Sequence, residues 1–353
     1  MTRRILVAGL ARPLGAGVAR ALEADPDVAA IVGTDERDPP IVLERTEFVR
    51  LRDDADALQR VLRAAQIDTV IDARLQTDAA AGDARQRTRV NVAGTDALLA
   101  AAAGAGVRSL VVAGSAHVYG CAAGDPAYFE EDMDLPGGGT ALQRELRAAE
   151  ATAAELRHRV PGARVAVLRL VDVAGEDSAL GRALSLPGVV PAVAGFDPRL
   201  QLLHREDAVT ALEHAALEQL DGTFNVAADG VLALSELASL LDRRPAPVLP
   251  PWGAGLAALP LRRAGVPLTP ELVSLLRHGR AVDNRRLKAT GLRLRFTTRE
   301  AALDLRRSQR VAPLADTARP YRYDEGLEEF LRRSPAVRPS RRVAAVDDDI
   351  PAS

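Results

Sequence analysis

Lysine, cysteine and aromatic residues are scarce in this chain of 353 residues. All but one of its 46 basic residues are arginine, the exception being Lys288. A GC-rich coding sequence accounts for the bias, but any chemistry that needs a lysine has a single candidate. The one cysteine, Cys121, excludes an internal disulfide and fits a reducing compartment. No apolar run approaches the roughly 18 residues that a membrane span needs. The opening segment does not read as a signal peptide, because Arg3 and Arg4 lead into only residues 5–11 before Arg12 and Pro13. A soluble, cytoplasmic protein without membrane contact is the expectation. Excess charge is missing too: the formal net charge is -2, with both signs spread along the chain. That leaves no basic face or stripe of the kind nucleic acid requires. No spacing of His, Cys, Asp and Glu suggests a metal site.

Hydrophobic residues make up 47% of the chain and charged residues 27%, so a packed core is expected. Residues 4–8, 28–34, 48–51, 68–73, 108–113 and 164–170 read as strands. Residues 14–24, 54–66, 83–104 and 141–159 read as helices, with apolar residues recurring on one face. Strands alternating with helices of this length predict βαβ units, hence an α/β fold with a doubly wound parallel sheet. Beyond about residue 172 the alternation weakens into short helices and Pro-containing turns. The expected division is a sheet domain over 1–171, a smaller C-terminal lobe over 172–333 interleaved with the sheet, and a disordered tail over 334–353.

The turn from Gly9 to Gly15 (GLARPLG) lies between the first strand and the first helix. A Gly-rich turn there lets backbone N–H groups and the helix N-terminus face a diphosphate. Asp35 ends the second strand, 20 residues past Gly15, where a carboxylate accepts ribose hydroxyls and repels a 2′-phosphate. NAD is therefore expected over NADP. The turn is irregular: Arg12 and Pro13 stand where a glycine would let the backbone approach the phosphates. Pro13 also lacks an N–H donor. Arg12 can either contact a phosphate through its guanidinium or fill the site.

Several further segments, in order, resemble the extended short-chain dehydrogenases/reductases of the NAD-dependent epimerase/dehydratase family. They are NVAGT (91–95), SAHVYG (115–120), LRLVDVAG (168–175), LQLLHREDAVTALEHA (200–215) and GTFNVAADG (222–230). The resemblance runs from about residue 3 to residue 305 and implies a Rossmann-type sheet with a C-terminal substrate lobe. It also implies an oxidoreductase of hydroxyl or carbonyl groups, with a nucleotide-sugar-like substrate. The implied cofactor-binding residues are Gly9, Arg12, Leu14, Gly15, Asp35, Asp53 and Ala73. The implied substrate-binding residues are Asp172, Arg199 and His204. A homodimer built through the helices at 83–104 and 141–159 is the family-like assembly.

The Tyr-x-x-x-Lys pair that gives this family its acid/base chemistry is absent. The tyrosines are Tyr119, Tyr128, Tyr321 and Tyr323, and none is followed by Lys288 at a useful distance. Alignment on Ser115 puts Thr140 and Arg144 in the pair's place; alignment on Glu150 puts Leu142 and Leu146 there. An arginine does not replace the lysine, because it presents a wide fork rather than a point donor. Ser115 matches the family's substrate-orienting serine. His117 reads either as a substitute acid/base group, its ordinary pKa of about 6.5 suiting that work, or as a loop histidine with a packing role. Tyr119 reads as packing and Cys121 as a bystander. His204 reads either as part of the substrate grip or as a structural residue at a strand end. An atypical enzyme and a non-catalytic NAD-binding protein are both open at this point.

Overall fold

The computed structural model describes residues 2–52, 54–78, 83–175, 178–250 and 258–310, together with residues 331, 334 and 337. The first half alternates as the sequence predicts. It contains β1 (Arg3–Ala8), α1 (Pro13–Glu23), β2 (Val28–Asp35), β3 (Thr46–Arg50), α2 (Ala55–Ala64), β4 (Thr69–Asp72), α3 (Ala84–Thr88), α4 (Gly94–Ala105) and β5 (Ser109–Ser115). Next come α5 (Ala141–Ala154), α6 (Leu156–Arg159) and β6 (Arg164–Leu170). The remainder is α7 (Ala179–Leu184), β7 (Val189–Val193), β8 (Arg199–Leu200), α8 (Arg205–Leu217), β9 (Gly222–Val226), β10 (Leu232–Ala233), α9 (Leu234–Leu240), β11 (Arg244–Leu249), α10 (Ala258–Arg263), α11 (Pro270–His278), α12 (Arg285–Lys288) and α13 (Thr298–Arg310).

Seven strands form one sheet in the order β3-β2-β1-β4-β5-β6-β9, and every neighbouring pair is parallel. Strands such as β5, buried at every residue, suit a sheet covered on both faces. Helix α1 packs beside α8, while α2, α4 and α5 pack in succession as the other layer. The strand order reverses between β1 and β4. A doubly wound sheet opens a crevice beyond the carboxyl ends of its strands at that switch point, and it is there that Gly9 and Ala73 lie.

Two apolar clusters separate the sheet from the lobe. The larger follows the sheet strands and their helices, and takes in α8 and β9. The smaller gathers α7, β7, α9, α11 and α13, closed by the short pairings β10–β8 and β11–β7. The lobe therefore has its own core, though the chain returns to the main sheet at 205–226 before completing it. Most of the segment 334–353 lies outside the described residues. At its head, Ser334 donates its hydroxyl hydrogen to Glu47 and Val337 packs against the main cluster.

Two expected helices are broken. The one over 83–104 contains a π turn at Arg89–Ala93, between α3 and α4. Within it Asn91 is fully buried and its side-chain amide binds another segment: Oδ1 accepts the Gln76 N–H at 2.7 Å and Nδ2 donates to the Gln76 carbonyl at 3.0 Å. The Thr95 hydroxyl meanwhile donates to the Asn91 carbonyl at 2.9 Å. Such π turns frequently accompany functional sites, and this one fixes the backbone of Gln76, a cleft residue. The helix over 141–159 divides at Glu155, whose N–H turns back to the Thr152 carbonyl, three residues earlier.

Candidate active site

β1 delivers the chain into a turn that only glycine fits at two places. Gly9 has φ +95°, and a Cβ on it would come within 2.8 Å of the Ala73 carbonyl carbon. A Cβ on Gly15 would lie 2.3 Å from the Gly9 carbonyl oxygen. The turn is closed by Gly9 N–H to the Thr34 carbonyl and Arg12 N–H to the Gly9 carbonyl. Asp35 holds it from β2, one carboxylate oxygen accepting the Ala11 N–H at 3.0 Å and the other the Arg37 N–H at 3.2 Å. Each oxygen keeps acceptor capacity, and Asp35 lines a cavity of about 510 Å³ with Arg37, Arg74 and Gln76. Arg74 is tied down by both oxygens of Asp72, at 2.9 and 3.0 Å.

A second cavity, of about 210 Å³, continues toward the lobe and is lined by Leu14, Ala73, Ser115, His117 and Asp172 among others. Arg12 and Gln76 line both cavities and so mark the neck between them. Arg12 stands at the N-cap of α1, makes no capping bond, and its guanidinium has no hydrogen-bond or ion-pair partner among the described residues. Burial pulls its pKa down; Asp35 opposes that shift and Arg37 adds to it. Asp53 lies outside the described residues.

The inner cavity brings together residues from the ends of β5 and β6. The Ser115 side chain accepts the His117 N–H at 3.2 Å, starting a 3₁₀ turn. Its own hydroxyl hydrogen is thereby left to donate elsewhere. His117 Nε2 stands 3.7 Å from Asp172 Oδ1, an ion-pair distance too long for a hydrogen bond. The other oxygen of Asp172 accepts from Arg280 at 3.0 Å, and the Arg280 side chain is 2% exposed. Burial alone would push the Asp172 carboxyl up. The facing His117 and then Arg280 outweigh it, and the carboxyl is held below its ordinary value. Cys121 lies 3.8 Å from the Arg280 guanidinium, and burial pushes its thiol up to about 11, which makes it a poor nucleophile.

Tyr119 is locked away from the cleft. Its hydroxyl donates to Asn225 Oδ1 at 2.8 Å and accepts from Arg169 at 2.8 Å, and its ring stacks on Phe129. Arg169 is in turn paired with Glu150 at 2.8 Å. Helix α5, where the family pair would sit, offers no replacement. Leu142 and Leu146 are each 1% exposed within the main apolar cluster. Thr140 is spent on a capping box with Gln143, and Arg144 donates to the Gly139 carbonyl. No described residue of α5 lines either cavity.

Arg199 and His204 do not join the site. Arg199 is exposed on β8 and its carbonyl accepts the Arg280 N–H. His204 is structural: Nδ1 accepts the Glu206 N–H to cap α8, Nε2 lies 3.1 Å from Asp304, and the ring stacks on Phe296 at 3.7 Å. Sequence reasoning missed Gln76, Arg205, Glu271 and Arg280. The first three line the inner cavity and the last braces Asp172.

The profile of the NAD dependent epimerase/dehydratase family matches residues 5–227. An uncharacterized protein of Mycobacterium tuberculosis (strain ATCC 25618 / H37Rv) is 34% identical over 335 residues, covering 89% of this chain and 86% of the relative. Among solved structures, MoeE5 in complex with UDP-glucose and NAD superposes with a TM-score of 0.64 at 22% identity, covering 87% of this chain and 100% of that one. The UDP-glucose 4-epimerase of Thermotoga maritima, with UDP-glucose, gives a TM-score of 0.67 at 16% identity, covering 87% and 98%. At these identities the two solved structures establish a shared fold.

Proposed function

Because the chain belongs to the NAD dependent epimerase/dehydratase family, we propose that it binds NAD along the two cavities and acts on a hydroxyl or carbonyl of a nucleotide-sugar-like substrate. In this reading Ser115, His117 and Asp172 replace the missing Tyr–Lys pair. The observation that carries it is the position of His117, facing Asp172, on the wall of the cavity that continues the nucleotide cleft past Arg12.

The residues present fit the cofactor. Asp35 has acceptor capacity for ribose hydroxyls at the outer end. The uncapped first turn of α1 offers N–H groups to a diphosphate, and Arg12 offers the positive charge that the irregular turn otherwise lacks. NAD, when bound, supplies the hydride acceptor. The protein's part is proton handling. With Nε2 turned toward Asp172, the lone pair left for a substrate proton is that of His117 Nδ1, and Asp172 stabilises the ring when it is charged. Asp172 is itself braced by Arg280, which favours its ionised form beside the ring. The Ser115 hydroxyl donates to the substrate oxygen and orients it.

Helix α5 supports a second reading. Neither Leu142 and Leu146 nor Thr140 and Arg144, the two alignments of the family pair, line the cavities, which suits a protein that binds NAD and a partner molecule without turnover. The two readings part in one experiment. NAD-loaded protein is mixed with a panel of nucleotide sugars while the absorbance of reduced nicotinamide and the sugar products are followed. The enzymatic reading expects turnover of at least one sugar, falling about 10²-fold or more in His117→Ala with NAD affinity retained. Tight NAD binding without turnover of any sugar favours the second reading. Turnover unaffected by His117→Ala removes the histidine from the mechanism.

A further inference from the structure

The inner cavity is lined by two buried side chains that each leave one oxygen without a hydrogen-bond partner among the described residues. Glu271, in the first turn of α11, is 7% exposed, and its Oε2 has no hydrogen-bond partner. Gln76, after β4, is 8% exposed, and its Oε1 is likewise orphaned. They come from opposite sides of the cleft, one from the lobe and one from the sheet domain, and line the same space. Burying a carboxylate or an amide oxygen without a partner is costly, and polar groups so placed call for an explanation such as a ligand. The backbone of Gln76 is held at both N–H and C=O by Asn91 at the π turn, so the side chain is presented by a fixed segment.

We propose that Glu271 and Gln76 form a donor-reading subsite that selects what the inner cavity admits. Both orphan atoms are acceptors, and one belongs to a carboxylate. The group that completes them carries hydrogen-bond donors and no negative charge: the hydroxyls of a neutral glycosyl group or the ammonium of an amino sugar. A carboxylate-bearing sugar brings an anion against the buried Glu271, where like charges repel more strongly than in open solvent. Glu271 is thus a specificity residue and takes no part in the proton transfer assigned to His117. The proposal rests on the nucleotide-sugar reading for the identity of its probes.

The test is calorimetric titration of the NAD-saturated full-length protein with UDP, UDP-glucose, UDP-glucosamine and UDP-glucuronic acid, repeated on Glu271→Gln. UDP-glucose or UDP-glucosamine is expected to bind at least about ten-fold more tightly than UDP-glucuronic acid, and Glu271→Gln is expected to shrink that ratio several-fold. Equal binding of the acid and the neutral sugar by the unmodified protein, or a ratio unmoved by the substitution, overturns the subsite. If NAD binds but neither UDP nor any of the three sugars does, the nucleotide-sugar reading fails. The subsite is then decided by the ligand-free protein. A carboxylate kept for a ligand predicts that Glu271→Gln lowers the melting temperature by no more than the helix-dipole share of about 2 °C, whereas a larger fall makes Glu271 structural and overturns the proposal.

Discussion

Two buried polar groupings lie near the carboxyl ends of the central strands, and they are finished differently. Under β6, Tyr119, Asn225, Arg169 and Glu150 bond one another, and the Asn225 amide also donates to the Phe129 carbonyl. Across the cleft, Arg12, Gln76 and Glu271 are presented to the cavities without side-chain partners among the described residues. The closed grouping fixes the fold at the point where the lobe leaves the sheet. The open one has its bonding capacity reserved. Stability should therefore depend on the first and ligand affinity on the second.

The largest effect is expected where the closed grouping is cut. Arg169→Ala strands Glu150 in the interior and should cost roughly 3–5 kcal/mol, read as a lowered urea midpoint and a poor soluble yield. Gly9→Ala comes next. It forces a side chain into a positive-φ position against the Ala73 backbone, costing about 1–3 kcal/mol for the backbone alone, and it should abolish NAD binding by displacing the turn. Gln76→Leu sharpens the comparison from the other side. Replacing an orphaned amide by an apolar group of similar size should leave the apo protein's stability unchanged or raise it by up to about 1 kcal/mol, while weakening substrate binding. A stability loss as large as that of Arg169→Ala would place Gln76 with the closed group.

Asp172 belongs partly to each class, being braced by Arg280 and facing His117 in the cavity, and its effect depends on pH. Its folded carboxyl sits below its unfolded value. The contribution to stability is therefore complete above about pH 4 and is lost as pH falls through the lower folded value. Denaturant unfolding of the unmodified protein and Asp172→Asn should show a stability gap at neutral pH that closes in acid. A gap independent of pH would mean that the ionised carboxylate is not what Arg280 and His117 hold.

The outer end of the cleft was legible because its parts are local. A strand, a Gly-bounded turn, a helix and an acid at the end of the next strand carry their geometry in their order, and Asp35 bonds to the loop beside it. The irregularity at Arg12 was visible too, but only the structure shows the side chain between two cavities, without a hydrogen-bond partner among the described residues. The inner end was legible only in Ser115, His117 and Asp172, which sit on strand ends. Arg280 meets Asp172 across 108 residues, a contact made by the lobe's own folding. Glu271 follows Pro270 in a first helical turn, where an acid is favourable for the helix dipole alone, so nothing in its setting marks it. The contact of the Asn91 amide with Gln76 at the π turn was hidden because the two residues lie 15 positions apart. His204 was open to two readings because, although its cap on α8 is local, its stacking on Phe296 involves a residue 92 positions later.

The central claim is that the cleft is a nucleotide site whose diphosphate is met by an arginine reserved for it. Calorimetric titration of NAD into the unmodified protein and into Arg12→Ala, with unfolding of both ligand-free proteins alongside, tests it most directly. Saturable binding weakened about ten-fold or more in the variant, with apo stability within about 0.5 kcal/mol, is the predicted result. No NAD binding by either protein, or equal affinity in both, would contradict it.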